Sequence, residues 1–190
     1  MLNKLDEELF NAIIDEDVIK VGYLISMGAN VNAVNKDEDT PLLLACTCGE
    51  LSAVSVLIPE IFGSFDYIFM GNKEKYFQIV KILINSGADV NKVTEKSNIS
   101  PLYVSVFTEN LEVIKYLIES GADVNFKGGI NSRTPLINAA LFGKANVVHL
   151  LLMAGADASI KDKNGLTALD LSINKNIKAI ISEFWLPDKK

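Results

Sequence analysis

The sequence predicts an all-α protein, a solenoid of stacked helix-turn-helix units, and three observations carry that prediction. A five-residue phrase, Gly87-Ala88-Asp89-Val90-Asn91, returns unchanged as Gly121-Ala122-Asp123-Val124-Asn125, with looser copies at Gly28-Ala29-Asn30-Val31-Asn32 and Gly155-Ala156-Asp157-Ala158-Ser159. The intervals are 59, 34 and 34 residues, and self-similarity near 33 residues marks a protein of stacked repeats. A second phrase keeps the same phase: Thr40-Pro41-Leu42, Ser100-Pro101-Leu102, Thr134-Pro135-Leu136 and Thr167-Ala168-Leu169. Between the phrases apolar residues recur at i, i+3 and i+4, the spacing that gives a helix one buried face.

The first unit spans about 1–32. Asp6, Glu7 and Glu8 suit the positive end of a helix dipole, and Leu9, Ala12 and Ile13 then form one stripe. A second helix starts near Val18, repeats Val21, Leu24 and Ile25, and stops at Gly28. With no Thr-Pro-Leu before it, this unit reads as an N-terminal cap. The loop Asn35 to Asp39 follows, with an acidic tip. Asn35, Asp37 and Asp39 alternate as at the start of a calcium loop, but such a loop needs Gly sixth and Glu twelfth, where this chain has Thr40 and Cys46. A solvated turn is the reading.

In the second unit, 33–59, Thr40 caps a helix that Pro41 opens, because proline's missing N–H has no partner to lose in a first turn. Its partner helix carries Ala53, Val54, Leu57 and Ile58, and Pro59 stops it. Ile79, Val80, Leu83 and Ile84 then place another second helix at about 75–86. The interval of 59 is nine residues short of two units, so an extra, degenerate unit is expected at 60–87, without its Thr-Pro-Leu and without one inter-unit loop. Its first helix would run from Ser64 to Gly71. Phe62, Phe65, Tyr67, Phe69, Tyr76 and Phe77 suit burial or a contact surface there, not a flexible insert. The alternative is an overlong second helix or a bulging loop. Units 88–121 and 122–155 are regular. The last, 156–190, has the turn Asn164-Gly165, a helix from Thr167, and Ile180, Ile181, Phe184 and Trp185 at the expected apolar places, with Lys175, Lys178 and Glu183 as a polar cap. The whole, 1–190, reads as one domain of about six helix pairs.

The order Thr-Pro-Leu, Ala, Gly eight residues after the Pro, a Val-Val/Leu-Leu helix, then Gly-Ala-Asp-Val-Asn resembles the ankyrin repeat. The resemblance covers nearly the whole chain apart from about 59–75. It implies an α-solenoid with short hairpin-like finger loops between units, and a non-catalytic role in binding another protein. Family partners commonly meet the finger tips and the exposed side of the first helices, the inner curve of the stack. By phase this surface comprises Val34, Asp37, Asp39, Thr47, Cys48, Val93, Lys96, Ile99, Phe107, Thr108, Arg133, Leu141, Phe142, Lys161, Lys163 and Leu166. Phe107, Leu141 and Phe142 form a contact patch unless the curve of the stack buries them between neighbours. The row runs from acidic (Asp37, Asp39) to basic (Lys96, Arg133, Lys161, Lys163), which would orient a partner of opposite polarity. One departure concerns rigidity. The family usually has His after Thr-Pro-Leu, linking neighbouring turns, whereas Leu43, Tyr103, Ile137 and Asp170 stand here. Either apolar packing replaces that tie or the finger bases are looser.

Composition narrows the chemistry. A net charge of −6 and a pI near 4.9 argue against nucleic acid, whose binding rests on Lys/Arg clusters. The N-terminus has no apolar signal region, and the most apolar window, Leu51 to Gly71, is broken by Pro59, Glu60 and Asp66, so no membrane span is expected. Cys46 and Cys48 give no disulfide framework and fit a reducing compartment. A single His, His149, falls on the outer side of a second helix and disfavours zinc and His-based catalysis. Phosphate loops and nucleophile elbows are absent from the sequence. The recurrent Asp89, Asp123 and Asp157 are read as local backbone acceptors at the finger bases rather than a catalytic row. No cofactor or metal is expected, and the chain is expected to be a monomer in the cytoplasm. The alternatives are a stoichiometric inhibitor of a partner enzyme, possibly delivered into a host cell, and an enzyme accessory with an unrecognised site. One Arg among many Lys, Asn and Ile fits an AT-rich genome.

Overall fold

A computed structural model describes residues 2–47 and 71–185, and among these the chain forms ten α-helices and no strand. They are α1 (Lys4–Ile14), α2 (Val18–Ser26), α3 (Pro41–Thr47), α4 (Lys73–Asn85), α5 (Pro101–Thr108), α6 (Leu111–Glu119), α7 (Pro135–Leu141), α8 (Ala145–Met153), α9 (Ala168–Leu171) and α10 (Lys175–Trp185). The caps are those the sequence asks for. Thr40 Oγ1 accepts from Leu43 N at 3.1 Å, Ser100 Oγ from Tyr103 N at 3.2 Å and Thr134 Oγ1 from Ile137 N at 3.2 Å. At Thr167 the cap is reciprocal, because Asp170 bonds back to the Thr167 N–H.

The helices form two rows. The odd-numbered helices pack in succession, α1 on α3, α3 on α5, α5 on α7 and α7 on α9, and the even-numbered ones do likewise from α2 to α10. Five layers result. The core runs the length of the stack and is built from the stripes read in the sequence: Leu9, Ala12 and Ile13, then Ile79, Val80 and Leu83, then Val113, Ile114 and Leu117, all buried.

The count of layers differs from the sequence expectation of a separate unit at 60–87. α3 packs directly on α5, and α2 directly on α4, so no further layer lies between them. The helices α3 and α4 therefore belong to one layer, although 25 residues separate them in sequence. The interval of 59 residues is one unit of 34 plus those 25, a division that the spacing of motifs alone did not favour. The helices expected around Ala53 to Ile58 and from Ser64 fall outside the described residues. α4 itself is one turn longer than its counterparts, 13 residues against nine in α2, α6 and α8, and starts on the Asn72 cap.

An asparagine ladder joins the layers at the finger bases. Asn32 Nδ2 donates to Gly87 O at 2.9 Å, and Asn32 Oδ1 accepts from Asp89 N at 2.8 Å. One interval on, Asn91 repeats both bonds with Gly121 O and Asp123 N, and Asn125 accepts from Asp157 N at 2.8 Å. At the N-terminal end the buried Asp6 of α1 takes the ladder's place, accepting from Asn30 N at 2.8 Å. The recurrent aspartates act as local acceptors: Asp89, Asp123 and Asp157 each take the N–H two residues on.

The last layer is out of register with the sequence alignment. Asn174 caps α10, and Ile177 and Ile181 are the fully buried residues, while Phe184 and Trp185 are 42% and 41% exposed. The cause is α9, only four residues long, which moves the start of α10 toward the N-terminus. Ile181→Ala should cost about 2–5 kcal/mol of unfolding free energy, and Trp185→Ala much less. Urea unfolding of the two variants checks the register. In the same measurement Asn91→Ala, which removes two interlayer bonds, should cost about 1–2 kcal/mol.

Candidate functional site

Four fingers project from the layers, each closed by a backbone bond across its base. Asn35 N donates to Asp39 O, Thr94 N to Ile99 O and Asp162 N to Leu166 O, while Gly128 and Arg133 exchange two bonds at 2.9 and 3.0 Å. The residue before each closing position is left-handed: Glu38, Asn98, Ser132 and Gly165, with φ of 69°, 50°, 49° and 79°. In three fingers the opening residue also holds the turn from inside. Asn35 Oδ1 accepts from Asp37 N and Asp39 N, Thr94 Oγ1 from Ile99 N, and Asp162 Oδ1 from Asn164 N and Leu166 N.

The fingers are tied to one another. Glu38 pairs with Lys96 Nζ at 2.9 Å and accepts from Lys96 N, and this contact holds the Glu38 carboxyl below and the Lys96 ammonium above their ordinary pKa values. Gly129 N donates to Asn98 O at 3.0 Å, Asn98 Nδ2 to Lys127 O, and Lys163 N to Asn131 O. Arg133 Nε meets the buried Asp162 Oδ2 at 3.4 Å. Burial opposes ionisation of Asp162, but the N–H groups of Leu166 and Asn164 and the Arg133 guanidinium outweigh it and hold its carboxyl below the usual range.

Packing replaces the polar tie that the ankyrin pattern would place after Thr-Pro-Leu. Leu43, Tyr103 and Ile137 are all buried, and Asp170 is engaged in its own cap. Tyr103 is larger than the space allows unless the next finger yields, which it does through Gly128 and Gly129. A Cβ on Gly128 would lie 2.8 Å from Asn98 O and 2.9 Å from the Tyr103 ring, and Gly129 sits at φ 67° against the Tyr103 hydroxyl.

The residues picked from the sequence separate into three groups. Ile99 and Phe107 are buried, at 3% and 5% exposure, and cannot serve as contact residues. Phe107 stacks edge-on with Tyr103 and Phe142, at 5.9 and 5.3 Å between centroids, because neighbouring first helices close over it. Thr108 is buried as well. Val93, Asp39, Arg133, Leu141 and Phe142 are half-buried. Val34, Asp37, Lys96, Lys161, Lys163 and Leu166 are exposed, and Cys48 lies outside the described residues. The expected charge row is shortened, because Lys96 and Arg133 are paired with Glu38 and Asp162.

The sequence reading missed Ile173, which is 89% exposed and lines a shallow cleft with Leu141, Phe142, Gly143 and Asn174. The cap of α10 on Asn174 puts Ile173 at the turn position held by Glu16, Glu109 and Gly143 in other layers. An isoleucine where other units have Glu or Gly was the available signal. His149 is exposed on the outer side of α8, edge-on to Phe184 at 5.8 Å, as its phase implied. Among the described residues no three His, Cys, Asp or Glu side chains are grouped to hold a metal ion, and no helix is long and apolar enough to cross a membrane. What the surface offers is a row of braced loops and one apolar cleft.

Comparison with known proteins matches the repeats directly. A family model described as ankyrin repeats (3 copies) matches residues 68–162, half of the chain, and another, ankyrin repeats (many copies), matches 9–58. A stretch of 58 residues, 30% of the chain, is 40% identical to the ankyrin repeat-containing protein YIL001W of Saccharomyces cerevisiae. That stretch spans 11% of the yeast protein.

Asp39 gives the first finger a pH signature. Burial lifts its carboxyl from 3.8 to about 6, and the charges of Asp37 and Glu38 add to this against the Asn35 side chain. The folded state therefore holds this proton more tightly than the unfolded chain. Its contribution is fully present below about pH 4 and is lost as pH rises through about 6, up to about 3 kcal/mol in all. Asp39→Asn should raise the urea midpoint near neutral pH. The difference between variant and parent should vanish below about pH 4.

Proposed function

We propose, from the premise that this chain belongs to the ankyrin repeat family, that it is a non-catalytic protein-interaction module whose partner lies along the inner curve of fingers and first helices. Ankyrin repeats are generally protein-interaction modules, which supplies the class of activity. The observation that supports the surface is the bracing of finger tip to finger tip, which leaves Val34, Asp37, Lys161, Lys163 and Leu166 exposed on a fixed row. Loops ordered before binding lose less entropy when a partner arrives.

The C-terminal part of the row favours a partner segment with an apolar side chain flanked by acid. The apolar group enters the cleft of Leu141, Phe142 and Ile173, and the acid meets Lys161 and Lys163, which make no ion pair within 4 Å among the described residues. At the other end Asp37 offers the opposite charge. The carboxylates of the row serve as backbone acceptors and ion-pair partners, consistent with a binding surface rather than a reactive one. The cytoplasm is the compartment in which we place it, on the absence of a disulfide framework from its two cysteines.

Partners recovered by affinity capture and identified by mass spectrometry supply the ligand for calorimetric titration. Ile173→Asp, or Lys161→Glu with Lys163→Glu, should weaken binding about tenfold or more, and Lys115→Glu on the outer side should leave it unchanged. Equal affinity in all of these, with unfolding midpoints retained, removes the inner-curve reading. Phe107→Ala is unsuited to the test, since it should lower stability by about 3–5 kcal/mol.

A further inference from the structure

The N-terminal end of the stack departs from what an end should be. In every later layer one ridge of the second helix faces the layer before it. Tyr116 of α6 lies edge-on to Phe77 of α4 at 6.0 Å and donates to Asn85 Oδ1 at 2.9 Å, and Phe184 of α10 meets His149 of α8. By register this ridge reads Gln78, Ile82, Ser86 in α4, Glu112, Tyr116, Ser120 in α6 and Asn146, Leu150, Ala154 in α8. Its outer positions are polar or small. In α2 the same ridge is Ile19, Tyr23 and Met27, apolar throughout, and it is 87%, 60% and 56% exposed. End layers of solenoids ordinarily carry a polar outer face.

The opposite end supplies the complement. The ridge that faces the next layer holds Phe77, Lys81 and Asn85 in α4, and the same positions in α10 are Lys175, Ala179 and Glu183, all exposed. A Tyr23 placed on that ridge as Tyr116 is placed on α4 brings its hydroxyl to the Glu183 carboxylate and its ring to the Lys175 ammonium. Ala179 leaves room between them. The net charges of the ends also match. Residues 1–32 hold six acidic and two basic side chains, whereas from Lys161 onward there are six basic and four acidic. Two N-terminal ends set face to face would bring like charge together.

We propose that the exposed α2 ridge of Ile19, Tyr23 and Met27 receives the C-terminal layer of a second copy of this chain, so that the solenoid continues head to tail across molecules. This differs from the monomer expected from the sequence, and it uses neither the fingers nor the cleft at Ile173. A head-to-tail contact does not close on itself, so the product is an open series rather than a fixed dimer.

Sedimentation velocity over a concentration series tests it with two exposed-face variants, a head block (Ile19→Asp with Tyr23→Asp) and a tail block (Ala179→Arg with Glu183→Arg). The parent chain should associate beyond dimer as concentration rises. Each block should weaken that association about thirtyfold or more. An equimolar mixture of the two should recover a one-to-one dimer and nothing larger, since one intact head meets one intact tail. Matching helical circular dichroism and urea midpoints establish that both variants are folded. A parent chain that stays monomeric at its solubility limit overturns the proposal. So does a closed dimer that the tail block leaves intact, because that is a head-to-head contact, and so does a mixture that fails to dimerise.

Discussion

Each layer is registered on the next by side-chain amides used in both directions. Asn32 and Asn91 each give an N–H to one backbone carbonyl of the following layer and take an N–H from it two residues on. Two bonds to one side chain fix position and orientation together. The apolar faces of the helices then meet at a constant offset, so that Val80, Ile114 and Val148 fall at equivalent buried places. Hydrophobic burial supplies most of the stabilisation, but it is not directional and would tolerate sliding. The amides prevent it. Where no earlier layer is present among the described residues, Asp6 makes the accepting half of the contact from within the first layer.

This arrangement explains how one layer keeps its place with 25 residues between its helices. The ladder runs from Asn32 to Gly87 and Asp89, and none of its members lies between α3 and α4. Contacts in a solenoid reach only neighbouring layers, so length added between two helices does not alter the register of the finger bases. Long-range order passes beside the added length.

The fingers follow a related logic on a smaller scale. Each turn is closed from within by an Asn, Thr or Asp side chain or by a paired backbone bridge, and each is then joined to the next by backbone or charged contacts. Part of the charge visible in the sequence is used in this bracing, as Glu38–Lys96 and Arg133–Asp162. Tyr103 and the pair Gly128-Gly129 make the same point for size: a larger ring in one layer is accommodated by glycine in the next finger.

The sequence by itself determined the family, the helix starts and stops, the local role of the recurrent aspartates and most of the core. All of these depend on residues within a few positions of one another, where spacing and cap chemistry are sufficient. The tertiary structure decided what depends on neighbours across layers. It set the number of layers, since 59 residues divide either as two short units or as one unit with added length. It placed Ile99 and Phe107 inside and Ile173 outside, because exposure on a curved stack depends on the adjacent layer and not on a residue's phase in its own helix. It moved the last register by way of the short α9 and showed which charges are already paired. It also left Ile19, Tyr23 and Met27 uncovered on α2, where a regular period gives the same ridge as in every other layer and only its position at the end of the described stack makes it a surface.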